Sequence, residues 1–316
     1  MYLWEEADYI SFLGLDVYTY GLMCALGAGA MLLLLWCFGK GKKLPKGAAA
    51  LTGVCAMLLG AFCSKLLFSL FSFNVDAPFL GKMKPGLFSG GGYSMMGALL
   101  GGFLGAALAG KMLKQSSLKF MDVFAPACLA FVFFARLGEM FYPEFAGFGV
   151  SRPLIYEFTK TWPIAVSDGT ESYLATYLME AICALVILFV LARDVKKQER
   201  DGNTFVLFLL LFGASQIIME SLRYDRHMSY TFIRMQQVLA ILVLIGGLMY
   251  AARRSGKSKK QMGLLLLMMV VISVLGVALE FAIDRTELNR YLLYALFVVL
   301  VAIPVYLGMR CRKKEA

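Results

Sequence analysis

The chain has 316 residues, of which 60% are hydrophobic and only 16% charged. A soluble domain carries about a quarter charged residues, so this balance excludes an ordinary soluble fold. Apolar runs of about 20 residues recur along the whole length, each long enough to cross roughly 30 Å of hydrocarbon. The fold class is therefore all-α: a polytopic transmembrane helix bundle. The net charge of +10 is a matter of which side of a membrane the basic residues occupy, and no nucleic-acid partner is expected.

The N-terminal "MYLWEEADYISF" is acidic and aromatic, the opposite of the basic start of a cleavable signal peptide. It is expected as a short amphipathic segment at the outer interface, held by Tyr2, Trp4 and Phe12. Nine spans follow, over 20–38, 48–72, 93–112, 119–136, 172–192, 204–222, 233–251, 263–283 and 291–309. Tyr20 opens the first, in "VYTYGLM", and Lys65 lies inside the second. A connection at 73–92 contains "PGLFSGGG", and a longer one, 137–171, is rich in Pro, Gly and aromatics and is expected to form a small ordered cap. There is no internal repeat of the kind that builds transporters from duplicated halves.

Alternate connections, starting after the first span, read "GKGKKLPKG", "KMLKQSSLK", "RDVKKQER", "RRSGKSKK" and "RCRKKEA". They hold 20 of the 31 basic residues, against 10 on the opposite side. The positive-inside rule then puts the N-terminus outside and the C-terminus in the cytoplasm. One histidine excludes a multi-histidine metal cluster, and the seven cysteines contain no CxxC pair and fall in or beside the spans. Neither a metal nor a cofactor nor a disulfide is expected.

The informative residues are ionisable groups in or near the spans, where each costs about 2.5–3.5 kcal/mol at a helix centre. "FFARLGEMFYPEF" ends the fourth span with Arg136, Glu139 and Glu144. In "LFGASQIIMESLRYD", Gln216, Glu220 and Arg223 follow one another at i, i+4 and i+7, on one helical face. Glu180 stands in the fifth span and Asp122 in the fourth. Bland readings exist: the arginines snorkel to the interface, Glu180 is an interhelical hydrogen-bond partner, Lys65 and Asp122 are structural, His227 is a solvated loop residue, and "SGGGYSMMGALLGGFLG" is close helix packing. Two arginines in one polar cavity would instead suit a phosphate, which guanidinium groups bind bidentately.

Five elements, in order and spacing over residues 18–250, carry a resemblance. They are "YGLM"; "GGYSMMGALLGG" against a GGxxFHGGLxGG-like element; "DVFAPACLAFVFFARLGEMFYPEFAG" against D-x-x-AP…GRxGNFxNxExxG; "ATYLMEA" against HPSQLYEA; and "FGASQIIMESLRYD" against YGxxRfxxExxRxD. On these the chain resembles the prolipoprotein diacylglyceryl transferases. The chain departs from the pattern where Met96 stands for the family histidine, Glu139 for an asparagine and Gln216 for an arginine, and where the polar HPSQLY run has become Leu174, Ala175, Thr176, Tyr177, Leu178 and Met179. The family has seven spans, so residues 1–252 would be the family-like bundle, with its cap at 137–171, and 253–316 an additional helical hairpin.

The resemblance implies transfer of a diacylglyceryl group from phosphatidylglycerol to the lipobox cysteine of a prolipoprotein, in a bacterial plasma membrane. The partners would be that phospholipid, the prolipoprotein peptide and membrane lipids. Arg136, Glu139, Tyr20 and Glu144 would be the catalytic set. Arg136, Arg223, Glu220, Gln216, Met96, Gly97, Gly138 and Gly147 would bind the phospholipid. Two other readings are a non-catalytic relative that binds a phospholipid or a membrane partner, and a transporter, although the polar residues here gather toward one side instead of threading the midplane.

Overall fold

The computed structural model describes residues 9–12, 15–71, 93–141, 150–153, 165–167, 172–198, 200–223, 228–230, 233–286 and 288–313. Among these residues are nine α-helices: α1 (Thr19–Gly41), α2 (Ala48–Phe71), α3 (Met95–Met112), α4 (Ser117–Gly138), α5 (Thr176–Lys197), α6 (Asn203–Leu222), α7 (Met235–Arg254), α8 (Lys259–Arg285) and α9 (Arg290–Lys313). Each expected span coincides with one of them. Their lengths, 18 to 27 residues, correspond to about 27–40 Å at about 1.5 Å per residue. Eight are long and apolar enough to cross a membrane; α5, of 22 residues, is the ninth and carries Glu180 in its second turn. The protein is a multi-pass membrane protein of the all-α class.

Short strands join the helices. β1 (Tyr9–Phe12) and β2 (Leu15–Tyr18) form an antiparallel hairpin, with Phe12 opposite Leu15. Of the N-terminal segment expected at the outer interface, Tyr9–Phe12 pairs with Leu15–Tyr18, which leads straight into α1; Tyr2 and Trp4 fall outside the described residues. In the connection before α5, β3 (Val150–Pro153), β4 (Ala165–Ser167) and β5 (Ser172–Ala175) pair antiparallel in the order β3-β5-β4. β6 (Ser229–Tyr230) and β7 (Ile233–Arg234) pair ahead of α7.

The chain divides into two compact units: Met1–Lys197 with Leu222–Met235, and Gln198–Ser221 with Gln236–Ala316. In the first, α4 is the central helix. It packs against α1, α3 and α5, and Phe120, Ala125, Ala127 and Leu129 on it are fully buried. Phe124 of α4 meets Phe103 of α3 edge to face, with centroids 5.0 Å apart, a favoured aromatic geometry. The glycine-rich stretch packs α3 on α2. Gly97, Gly101 and Gly105, four residues apart, form a stripe against the α2 backbone at Cys63, Leu59 and Cys55. Small residues let two helix backbones approach this closely in a membrane. Ser94 fixes the start of α3: its Oγ accepts from Gly97 N at 3.1 Å, and its carbonyl accepts from Ser64 Oγ of α2 at 2.8 Å.

The second unit holds α6–α9. Gly213 of α6 lies on Ala240 and Leu244 of α7, and Gly308 of α9 lies on Leu210 of α6. Gln237 of α7 donates a hydrogen bond to Glu280 of α8. Tyr294 Oη of α9 donates to Ser221 O at 3.2 Å, and Arg312 donates to Asn203 O at 3.2 Å. A Ser258/Gln261 capping box starts α8, satisfying two backbone donors that would otherwise be orphaned.

Candidate active site

Three chain segments of the first unit bring a buried ionic network together. Arg136 stands in the last turn of α4. The helix ends at Gly138, and Glu139 begins a single 3-10 turn, Glu139–Phe141, so the two side chains sit at i and i+3 on one face. Gly138 is required by α1: a Cβ there would stand 2.8 Å from Met23 Cβ and 3.3 Å from Tyr20 Cδ2. Glu180 comes from α5, and Arg223 directly follows the last residue of α6.

Glu180 bridges the two arginines. Its Oε2 is 2.6 Å from Arg136 Nε, and its Oε1 accepts from Arg223 NH1 at 3.0 Å. Arg136 NH1 pairs with Glu139 Oε1, and Arg136 NH2 reaches Met95 Sδ at 3.1 Å. All four charged residues are buried: Arg136 is 8% exposed, Glu139 7%, Glu180 1% and Arg223 5%. Neither arginine therefore snorkels out to an interface. Two guanidinium and two carboxylate groups balance formally, which is the condition for keeping charges out of water. Glu139 keeps one buried oxygen, Oε2, with no hydrogen-bond partner among the described residues. A carboxylate oxygen so placed can accept a hydrogen bond or take a proton.

Tyr20, in the first turn of α1, hydrogen-bonds Cys24 one turn on and lies within electrostatic reach of Glu139 and Arg136. Tyr177, 8% exposed in the first turn of α5, is likewise within reach of Glu139. The site thus has a phosphate-compatible cationic pair, a carboxylate with a spare oxygen, and a phenol at its edge.

Of the residues singled out from sequence, Arg136, Glu139, Tyr20, Gly138 and Arg223 converge here. Met96 is buried, but the methionine that touches Arg136 is its neighbour Met95. Gly97 faces the α2 backbone at Cys63 and Ser64, where it serves helix packing. Gln216 and Glu220 are buried in α6 of the second unit, at 2% and 5% exposure. Arg223 directly follows the last residue of α6 and pairs with Glu180 of α5. Glu144 and Gly147 lie outside the described residues. Glu180 is the residue the sequence-derived site omits. A lone carboxylate in the apolar run "ATYLMEAICALVILFVL" was the signal for it, since such a group is costly without a cationic partner.

The family model described as prolipoprotein diacylglyceryl transferase matches residues 8–253 of the chain. Curated proteins similar to it include those of Clostridium novyi (24% identical over 252 residues, 78% of this chain and 95% of the relative), Clostridioides difficile (25% over 249 residues, 79% and 95%) and Clostridium tetani (25% over 237 residues, 74% and 92%). Each of the three is named phosphatidylglycerol–prolipoprotein diacylglyceryl transferase.

Proposed function

Since the chain belongs to the prolipoprotein diacylglyceryl transferase family, we propose that it moves a diacylglyceryl group from phosphatidylglycerol to the cysteine of a prolipoprotein. The observation that carries the reading is the buried Arg136–Glu180–Arg223 bridge, with Glu139 beside it. In this reaction the acceptor thiolate attacks the glycerol carbon that bears the phosphate. A C–S bond forms, the C–O bond to phosphate breaks, and glycerol-1-phosphate leaves with the bonding electrons. Two demands follow. The leaving phosphate needs cationic stabilisation in a water-poor site, and the thiol must lose its proton, because the thiolate is the nucleophile.

Arg136 and Arg223 answer the first demand. Glu180 holds them at a fixed spacing, and the Arg136 NH2 now resting on Met95 Sδ, a weak acceptor, turns to a phosphate oxygen. Glu139 answers the second: its Oε1 stays on Arg136 while Oε2 takes the thiol proton. Met96, in the place of the family histidine, has no proton to exchange, so the carboxylate takes over that work. Tyr20 orients the headgroup from the edge, Glu144 keeps the catalytic role that its motif position implies, and Gly147 a binding role. It would lie in a bacterial plasma membrane, N-terminus outside and C-terminus cytoplasmic, an orientation that the distribution of its basic connections supports. Residues 1–252 form the catalytic part and 253–316 an added hairpin.

A second reading, a non-catalytic phospholipid-binding relative, is favoured by one observation, methionine in place of the histidine. Complementation of a strain depleted of its own transferase, read by lipoprotein mobility, separates the two. Restored mobility, lost again in Glu139→Gln while phosphatidylglycerol binding persists, is the expected outcome. No restoration by wild type, together with restoration by Met96→His/Glu139→Asn, establishes the non-catalytic reading.

A further inference from the structure

At the opposite end of the first unit's helices from the arginine–glutamate network, α1 and α5 part. Both pack on α4, and between their C-terminal halves they leave a groove of about 510 Å3. Leu34 and Phe38 of α1 and Leu188 and Phe189 of α5 form its apolar walls. Arg193 and Lys196, in the last turns of α5, stand at its end, both exposed. This is the end that carries the basic connections "GKGKKLPKG" and "RDVKKQER".

We propose that this groove holds one anionic phospholipid, with its phosphate on Arg193 and Lys196 and an acyl chain along Leu34, Phe38, Leu188 and Phe189. The order of the lining residues is the argument. Along α5, residues 188, 189, 192, 193 and 196 fall on one helical face, and that face changes from aliphatic and aromatic to doubly cationic in two turns. A lipid molecule has the same order, chain then phosphate. Basic pockets between transmembrane helices on the cytoplasmic side suit anionic headgroups, and a guanidinium adds bidentate geometry to its charge. Cations in the last turn of any helix also oppose its macrodipole. That role requires no groove, and here both cations line one.

The occupant lies in the leaflet on the basic side, so it is not the transferred substrate but a bound lipid at the foot of the catalytic bundle. It seals the cleft between α1 and α5, helices whose other ends carry Tyr20 and Glu180. The inference does not rest on the transfer reading, since the groove and its charges are the same in a non-catalytic relative.

The full chain is reconstituted in nanodiscs of equal phosphatidylglycerol and phosphatidylcholine, and the lipids it retains are counted by native mass spectrometry. Wild type is expected to retain a tightly held phosphatidylglycerol that Arg193→Gln/Lys196→Gln loses, with the preference over phosphatidylcholine falling about tenfold or more. Ala192→Trp, which fills the groove and leaves both charges, is expected to lose it as well. These variants act by different routes, so the failure of one to fold leaves the other decisive. Lys43→Gln/Lys46→Gln removes two exposed cations from the same side but outside the groove and is expected to keep the lipid. Equal loss in that control means diffuse surface attraction and overturns the site. Undiminished retention in the charge pair or in Ala192→Trp overturns it too, as does equal retention of phosphatidylcholine by wild type.

Discussion

Glu180 decides whether Arg136 and Arg223 can share one buried site. With its carboxylate between them, each guanidinium has an opposite charge within 3.0 Å; without it, two like charges lose the carboxylate they share. Removing one partner of a buried pair costs about 3–5 kcal/mol, because the other is left uncompensated. Glu180→Gln keeps the size and loses the charge. It is expected to abolish transfer and to lower the thermal midpoint in detergent, as read by a thiol-reactive unfolding dye. A midpoint equal to wild type would mean that the arginines are held by something other than Glu180. Arg136→Lys tests geometry instead of charge. A lysine offers one point of positive charge where Arg136 serves Glu180 through Nε and Glu139 through NH1 at once. The loss of a charge-assisted contact is worth about 2 kcal/mol, so transfer is expected to fall about 30-fold or more while insertion persists. From sequence, the two arginines and Glu139 were visible as a cluster of misplaced charges. Their connection through Glu180 was not, because residues 136, 180 and 223 meet only when α4, α5 and the end of α6 fold together.

The helices α2 and α3 show an element whose sequence contains its own packing. Glycines at 97, 101 and 105 recur at one helical spacing, and the structure lays that stripe on the α2 backbone. At Gly101 an added Cβ would collide with the Leu59 carbonyl and Gly60 Cα, backbone atoms that cannot swing aside. Gly101→Leu is therefore expected to force the helices apart, at an overpacking cost of about 1–3 kcal/mol or more. A lowered unfolding midpoint in an SDS titration checks it. Gly29→Leu, where a Cβ would meet nothing within 4 Å, is the matched control and should change little. Helices were legible because each closes its hydrogen bonds within one apolar segment, and the bilayer sets its length. The strands were not. Tyr9–Phe12 pairs with Leu15–Tyr18, and Ser172–Ala175 lies between two partners from earlier in the connection. Strands of two to four residues carry almost no periodic signal, and their pairing depends on what the helices bring near.

On the scale of the whole molecule, the proposed orientation rests on 20 basic residues in one set of connections against 10 in the other. In intact cells a membrane-impermeant maleimide is expected to label Thr286→Cys, between α8 and α9, and not Lys260→Cys, in "RRSGKSKK". The reverse pattern would invert every orientation assigned above. The family match ends at residue 253, which raises the question of what α8 and α9 do for the helices they join. Within the second unit α6–α9 line a cavity of about 40 Å3, with Gln237 and Glu280 in its wall. Gln237 Nε2 donates to Glu280 and also approaches Ile217 O at 3.4 Å. A chain ending at residue 252 loses Glu280 and leaves the Gln237 amide with only the weaker contact, facing lipid. An interhelical hydrogen bond in a membrane is worth about 0.6 kcal/mol, at most about 1.7, so the loss should be modest. The shortened chain is expected to insert and to keep transfer, with a thermal midpoint lower than that of the full chain. Gln237→Leu should then act with opposite signs in the two backgrounds. In the shortened chain it removes an amide that lacks its strong partner and raises the midpoint. In the full chain it removes the Gln237–Glu280 hydrogen bond and lowers it. Loss of all transfer in the shortened chain, unrestored by Gln237→Leu, would show that the hairpin belongs to the catalytic part.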